Sequence, residues 1–175
     1  MGKTITKVSF KAAGEAGVKI SYETFDENGP KDETNKNSKH VPHATFREAL
    51  QKLKGHMLLV TEMIPTHKVK KYLDLQLNEE LEETYRVIGF TVSGSGTDKE
   101  GIVITGYKTL SNGLGFVFNT PNTRVENEGE SAYPHIAELL ADIEKVKAEA
   151  EDYLKGKYGV QQGNLFEEPG GGNDE

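Results

Sequence analysis

The chain has 175 residues, a formal net charge of −7 and no cysteine. That length suits one domain with a core of its own, and the missing thiols exclude disulfides and thiolate metal sites. No apolar run approaches the roughly 20 residues of a membrane span, and Met1–Thr6 has no apolar leader core, so a soluble, cytoplasmic protein with no membrane partner is expected.

Thr4–Lys11 and Val18–Thr24 alternate apolar and polar residues around a glycine-containing connection, the pattern of a β-hairpin. Alternation puts Thr4, Thr6, Val8 and Phe10 on one face and Ile5 on the other. Residues 26–39 contain a Gly-Pro pair and no apolar residue; a segment that cannot bury a face is expected to be a mobile loop. From Thr45 to Glu62, Phe46, Ala49, Leu50, Leu53, Met57 and Val60 follow a helical period. A helix to Lys54 followed by a buried strand, 56–63, fits the same residues, and periodicity does not choose between the two.

Tyr85–Ser93, Ile102–Thr109 and Leu114–Phe118 read as a three-stranded meander. Its connections are the glycine-rich 94–101 segment and Asn112-Gly113, the latter pointing to a type I′ turn. Ile88, Phe90 and Val92 share one expected core face, as do Leu114, Phe116 and Phe118. Ser131–Gly156 then carries Ile136, Leu139, Leu140, Ile143, Val146, Ala150, Tyr153 and Leu154 in one apolar stripe, with Asp142 among the residues of the other faces. Ser131 is placed to cap this helix, Pro134 suits its first turn and Gly156 its left-handed end. The expected fold is α+β: an antiparallel sheet of about five strands with two helices on one face. One domain spans 1–158, and 159–175 form a flexible acidic tail.

Charge is unevenly spread. Lys39, Arg47, Lys52, Lys54, Lys68, Lys70 and Lys71 face only Glu48 and Glu62 over 39–71, while four acids and no base follow Val160. A basic segment in an acidic protein suits a polyanion. These cations, with Tyr72 for base stacking, form a candidate surface for single-stranded or duplex DNA. His40, His43, His56 and His67 lie in the same stretch and read as exposed histidines, since loop-borne imidazoles without cysteine do not give the tight spacings of a zinc site. The glycine-rich segment 93–101 joins two strands and leads into no helix, so it reads as a hairpin loop instead of a phosphate loop. No nucleophile elbow, paired metalloprotease histidines or Asp-x-Asp cluster is present. No catalytic residue, metal ligand or cofactor is therefore assigned, and a non-enzymatic protein is expected.

Gln162-Gly163-Asn164-Leu165-Phe166 sits in the polar tail. Two large apolar side chains there can fill a partner's pocket while the glutamine amide fixes register. This pentapeptide resembles the bacterial sliding-clamp-binding motif, Gln-x-x-Leu-Phe, with Gln162, Leu165 and Phe166 in the anchoring places. The Val87-x-x-Phe90-x-x-x-Gly94 strand, Asn112-Gly113 and the long last helix also resemble uncharacterised small proteins of phages and prophages. Together these likenesses imply a phage or mobile-element accessory factor of DNA replication or recombination that docks on a host clamp. A small inhibitor or sequestering, anti-defence protein is the alternative. The apolar stripe of the last helix is also suited to packing against a second copy, as a homodimer.

Overall fold

The computed structural model describes residues 2–11, 16–64, 79–126 and 132–160. Strands β1 (Gly2–Phe10), β2 (Val18–Asp26) and β3 (Gly29–Ser38) precede helices α1 (Ala44–Gln51) and α2 (Lys54–Val60). A short helix α3 (Glu79–Thr84) leads into β4 (Tyr85–Ser93), β5 (Gly101–Thr109), β6 (Gly115–Asn119) and β7 (Thr123–Arg124), and α4 (Ile136–Leu154) follows. The strands form one antiparallel sheet in the order β3-β2-β1-β4-β5-β6, with β7 also on β5. The α+β class holds, with seven strands among the described residues where about five were expected.

The largest correction is residues 26–39. Most of that segment is β3, paired with β2 from Val18↔Ser38 to Asp26↔Gly29. An edge strand can live on backbone hydrogen bonds with no apolar face of its own, and charged side chains and proline suit an edge. The turn is written in the sequence: the Asp26 carboxylate accepts from the Asn28 N–H at 2.9 Å, and Gly29 takes φ +110°.

Two bulges break the simple alternation. In β1 the register shifts between Ile5 and Lys7, so Ile5 joins Val8 in the core instead of lying opposite it. In β4 it shifts between Val87 and Gly89, and Val87, not Ile88, joins Phe90 and Val92 in the core cluster. One extra residue turns every side chain before it to the other face.

The 45–62 segment holds two short helices, α1 and α2, separated by a turn at 52–53. The Leu53 N–H bonds to the Leu50 carbonyl three residues back, which tightens the chain, and the Met57 N–H then restarts the regular helical bond to Leu53. No strand occurs at 56–63. His43 caps α1 by accepting from the Thr45 N–H at 3.2 Å. The long helix begins after His135, so Pro134 lies ahead of it and not in its first turn. Ser131 falls outside the described residues. Gly156, at φ +106°, ends the helix as expected.

One apolar cluster joins sheet and helices: Ile5, Val8, Val18, Ile20, Phe90, Ile102 and Ile104 meet Leu50, Leu53, Met57, Leu139, Ile143, Val146 and Tyr153. Each such side chain contributes about 1.5–3 kcal/mol on burial. The stripe of α4 is therefore consumed within the chain, and Asp142, at 6% exposure, lies buried in it. At the sheet's far end the expectation fails. Phe118 packs against the cluster, but Phe116 and Leu114 remain 42% and 66% exposed. The β5–β6 turn is a hairpin as expected, with only Gly113 at positive φ (+82°) and the Leu110 N–H bonded to the Leu114 carbonyl. This is the three-residue connection with a glycine at its left-handed position, not type I′. In the 94–101 hairpin loop the Glu100 carboxylate accepts from the Gly96 N–H at 2.7 Å, so an internal acid holds an amide that a phosphate would need. No described helix is long and apolar enough to cross a membrane.

Candidate anion-binding cleft

Strands β1 and β4 pair over only three residues, Lys7–Ser9 against Gly89–Thr91. Beyond this seam they part, and α1 lies across the gap. The result is a cleft of about 500 Å³ whose walls include Phe10 and Lys11 from the end of β1, Arg47 and Gln51 from α1, and Tyr85 and Arg86 from β4. Lys54 and Glu82 complete it. Four cations thus meet one acid in a chain whose net charge is −7.

Each wall has a local reason. The bulge in β4 leaves the backbone of Val87 without a β1 partner, and the Gln51 side chain takes that place. Its amide donates to the Val87 carbonyl at 2.8 Å and accepts from the Val87 N–H at 3.0 Å. Arg86 lies with its guanidinium 4.8 Å from the Tyr107 ring centre, a cation–π contact that fixes its stem. Lys11, Arg47 and Arg86 are exposed, whereas Lys54 is only 5% exposed. Burial pushes the Lys54 ammonium below its ordinary range, against the weaker upward pull of Glu82.

The cleft brings together Arg47 and Lys54 of the basic 39–71 stretch and adds Lys11 and Arg86 from distant parts of the chain. Lys39 lines an adjoining hollow with Lys11 and Lys19. Lys52 does not join them; it borders a shallow hollow between α1 and α4 with Glu48, Lys145 and Glu149. Lys68, Lys70, Lys71 and Tyr72 lie outside the described residues, as do Gln162, Leu165 and Phe166. The described residues end beside Arg47: the Gly159 N–H bonds to the Val41 carbonyl at 2.7 Å, and Gly159, Val160 and Arg47 border one hollow. A guanidinium and ammonium groups around a water-accessible gap recognise phosphate or carboxylate oxygens.

No protein-family model, curated protein or solved structure matches this chain.

A second polar cluster corrects the reading of His56, which was expected to be exposed. His56 is completely buried. Its Nδ1 lies 2.7 Å from the Tyr133 hydroxyl and its Nε2 3.3 Å from an Asp142 carboxylate oxygen. A carboxylate only accepts, so Nε2 carries the proton and Nδ1 accepts from Tyr133; a neutral imidazole satisfies both. Burial lowers the His56 pKa, with the hydrogen bond and charge of Asp142 opposing it. The sequence held a signal: His56 lies three residues after Leu53 and Asp142 three after Leu139, each on its helix's apolar stripe. Polar residues there mark buried partners. Among the described residues no group of three or more His, Asp or Glu side chains is arranged to hold a metal ion.

Proposed function

We propose that this protein is a non-enzymatic nucleic-acid accessory factor of a phage or mobile element. In this reading its cleft grips a phosphate backbone, and its Gln162–Phe166 peptide docks on a bacterial sliding clamp. The observation that carries the reading is the convergence of Lys11, Arg47 and Arg86 on one open cleft of an acidic chain. The likeness of the tail to the clamp-binding motif supports the second half. So does the position of Val160, the last described residue, which borders one hollow with Arg47 of the cleft.

Fluorescence anisotropy with a labelled single-stranded oligonucleotide tests the body. Affinity falls with salt by roughly 0.7 logarithmic units per phosphate contact for each tenfold rise in salt, and Arg47→Glu weakens binding and flattens that slope. Binding that is absent at low salt, or insensitive to salt, removes the nucleic-acid half. Binding to purified clamp, lost in Leu165→Ala/Phe166→Ala, tests the tail separately.

The cleft's size favours one second reading. About 500 Å³ falls within the usual range for a small ligand, roughly 300–1,000 Å³, as a protein that sequesters a host nucleotide would require. Saturation by a mononucleotide as tight as that by the oligonucleotide supports sequestration over strand binding.

A further inference from the structure

The two ends of the sheet are built differently. The β3 edge carries Pro30, Asp32, Glu33 and Lys36, the charges and proline that keep an edge from pairing. The β6 edge, Gly115-Phe116-Val117-Phe118-Asn119, carries none. Around it Leu114, Phe116 and Val117 are 66%, 42% and 51% exposed. Among the described residues β6 is the last strand on its side.

The phase of the ladder decides which backbone groups are open. The Leu110 N–H bonds to the Leu114 carbonyl and the Thr120 N–H to the Ile104 carbonyl, so the even-numbered residues of this strand face β5. In an antiparallel ladder the alternate residues then direct N–H and C=O the other way. Gly115, Val117 and Asn119 thus present their backbone groups to the open edge. Phe116 and Phe118 lie on the helix-side face, where Phe118 covers Gly106 beside Met57 and the two rings stand 5.9 Å apart.

We infer that β6 is a homodimer interface, in which two copies pair their β6 strands antiparallel about a two-fold axis through Val117. The sequence of the strand is nearly palindromic about that residue. Self-pairing sets Val117 against Val117 in a reciprocally hydrogen-bonded pair and Gly115 against Asn119. It also sets Phe116 against Phe118 of the second copy, on one face, which joins the exposed aromatics into a continuous strip. A two-fold interface of this kind closes on itself. Pairing β6 with β3 of another copy would run on into a filament, and β3 offers Phe116 no apolar side chain. A five-residue strand and its flanking apolar side chains supply only part of the roughly 800 Å² per partner of a standard interface, so the dimer is weak and concentration-dependent.

Sedimentation equilibrium of the full chain, from low to high micromolar concentration, tests this. The mass rises toward that of a dimer for the native sequence and stays monomeric for Val117→Lys, with an unchanged circular dichroism spectrum. Because the chain has no cysteine, Val117→Cys introduces a sole thiol. The two copies of residue 117 then lie with Cα atoms about 5.5 Å apart, within reach of a disulfide. Mild oxidation yields a covalent dimer for Val117→Cys and not for Lys36→Cys on β3. A native chain that stays monomeric throughout overturns the inference and leaves the edge to some other occupant. A dimer that persists in Val117→Lys overturns it too, by placing the interface elsewhere.

Discussion

The side chain of Gln51 stands in for a missing strand opposite Val87. Both backbone groups of Val87 are satisfied by one amide, at 2.8 and 3.0 Å, where β1 has turned away. Val87 itself is 1% exposed, so water cannot replace that amide without opening the cleft. Gln51→Leu is expected to destabilise the fold by about 2–4 kcal/mol, the cost of orphaning a buried donor and a buried acceptor. Gln51→Glu retains the acceptor alone and falls between the two. Urea unfolding of the three proteins checks the order.

The His56 cluster makes stability depend on pH. Burial holds the folded-state pKa of His56 below its ordinary value of 6.5, so on acidification the unfolded chain takes up the proton first. The contribution is complete above about 6.5 and is lost as pH falls through that value toward the folded-state pKa. His56→Gln should flatten the decline in this window. Tyr133→Phe, which leaves Nδ1 without its donor, is expected to cost about 1 kcal/mol at pH 7.5. Thermal melts from pH 5 to pH 8 read both effects.

Lys54 illustrates the opposite relation between binding and stability. Its charge is buried at the floor of the cleft with the exposed Glu82 as the described acid acting on it. Lys54→Met is expected to raise the melting temperature at neutral pH by removing an ammonium that burial penalises. That gain shrinks as the pH rises toward the ordinary lysine value of 10.5, above which the native side chain is neutral in both states. If the cleft holds phosphate, the same variant binds it less tightly. Melts at pH 7 and pH 10 compare the two regimes.

Gly89 stands at the seam, where any Cβ would strike the Val8 carbonyl oxygen. That contact is backbone on both sides and cannot rotate away. Gly89→Ala is expected to cost about 3 kcal/mol. Gly113→Ala, at the exposed β5–β6 turn with nothing near its Cβ, is expected to cost less, because only its positive φ opposes a side chain. Denaturant midpoints of the two variants separate steric from conformational cost.

What was legible in the sequence was what repeats. The helical stripe of α4 and the β4–β5–β6 meander announce themselves through periodicity. What was not legible arises where one residue breaks a period or where polarity misleads. The bulges at Thr6 and Ile88 reverse faces without any compositional mark. The charged and amide-rich β3 looks like loop because an edge strand needs no apolar side chains. The cleft was half visible: Arg47 and Lys54 come from one basic stretch, but Lys11 and Arg86 join them only because β1 and β4 are neighbours in the sheet. Linear charge counts cannot see a contact between strands so far apart in the chain.

The three-residue seam has a consequence for how the molecule assembles. Strands β1–β2–β3 and β4–β5–β6 are each built wholly from sequential neighbours, the kind of pairing that forms in about 1–10 μs as a hairpin. Among the described residues only Lys7–Ser9 against Gly89–Thr91 stitches one half of the sheet to the other, a pairing of strands far apart in the chain whose closure entropy comes due in that single step. The slow event in folding is therefore expected to be the meeting of the two half-sheets under α1 and α4. Damage at the seam would slow refolding without loosening either half.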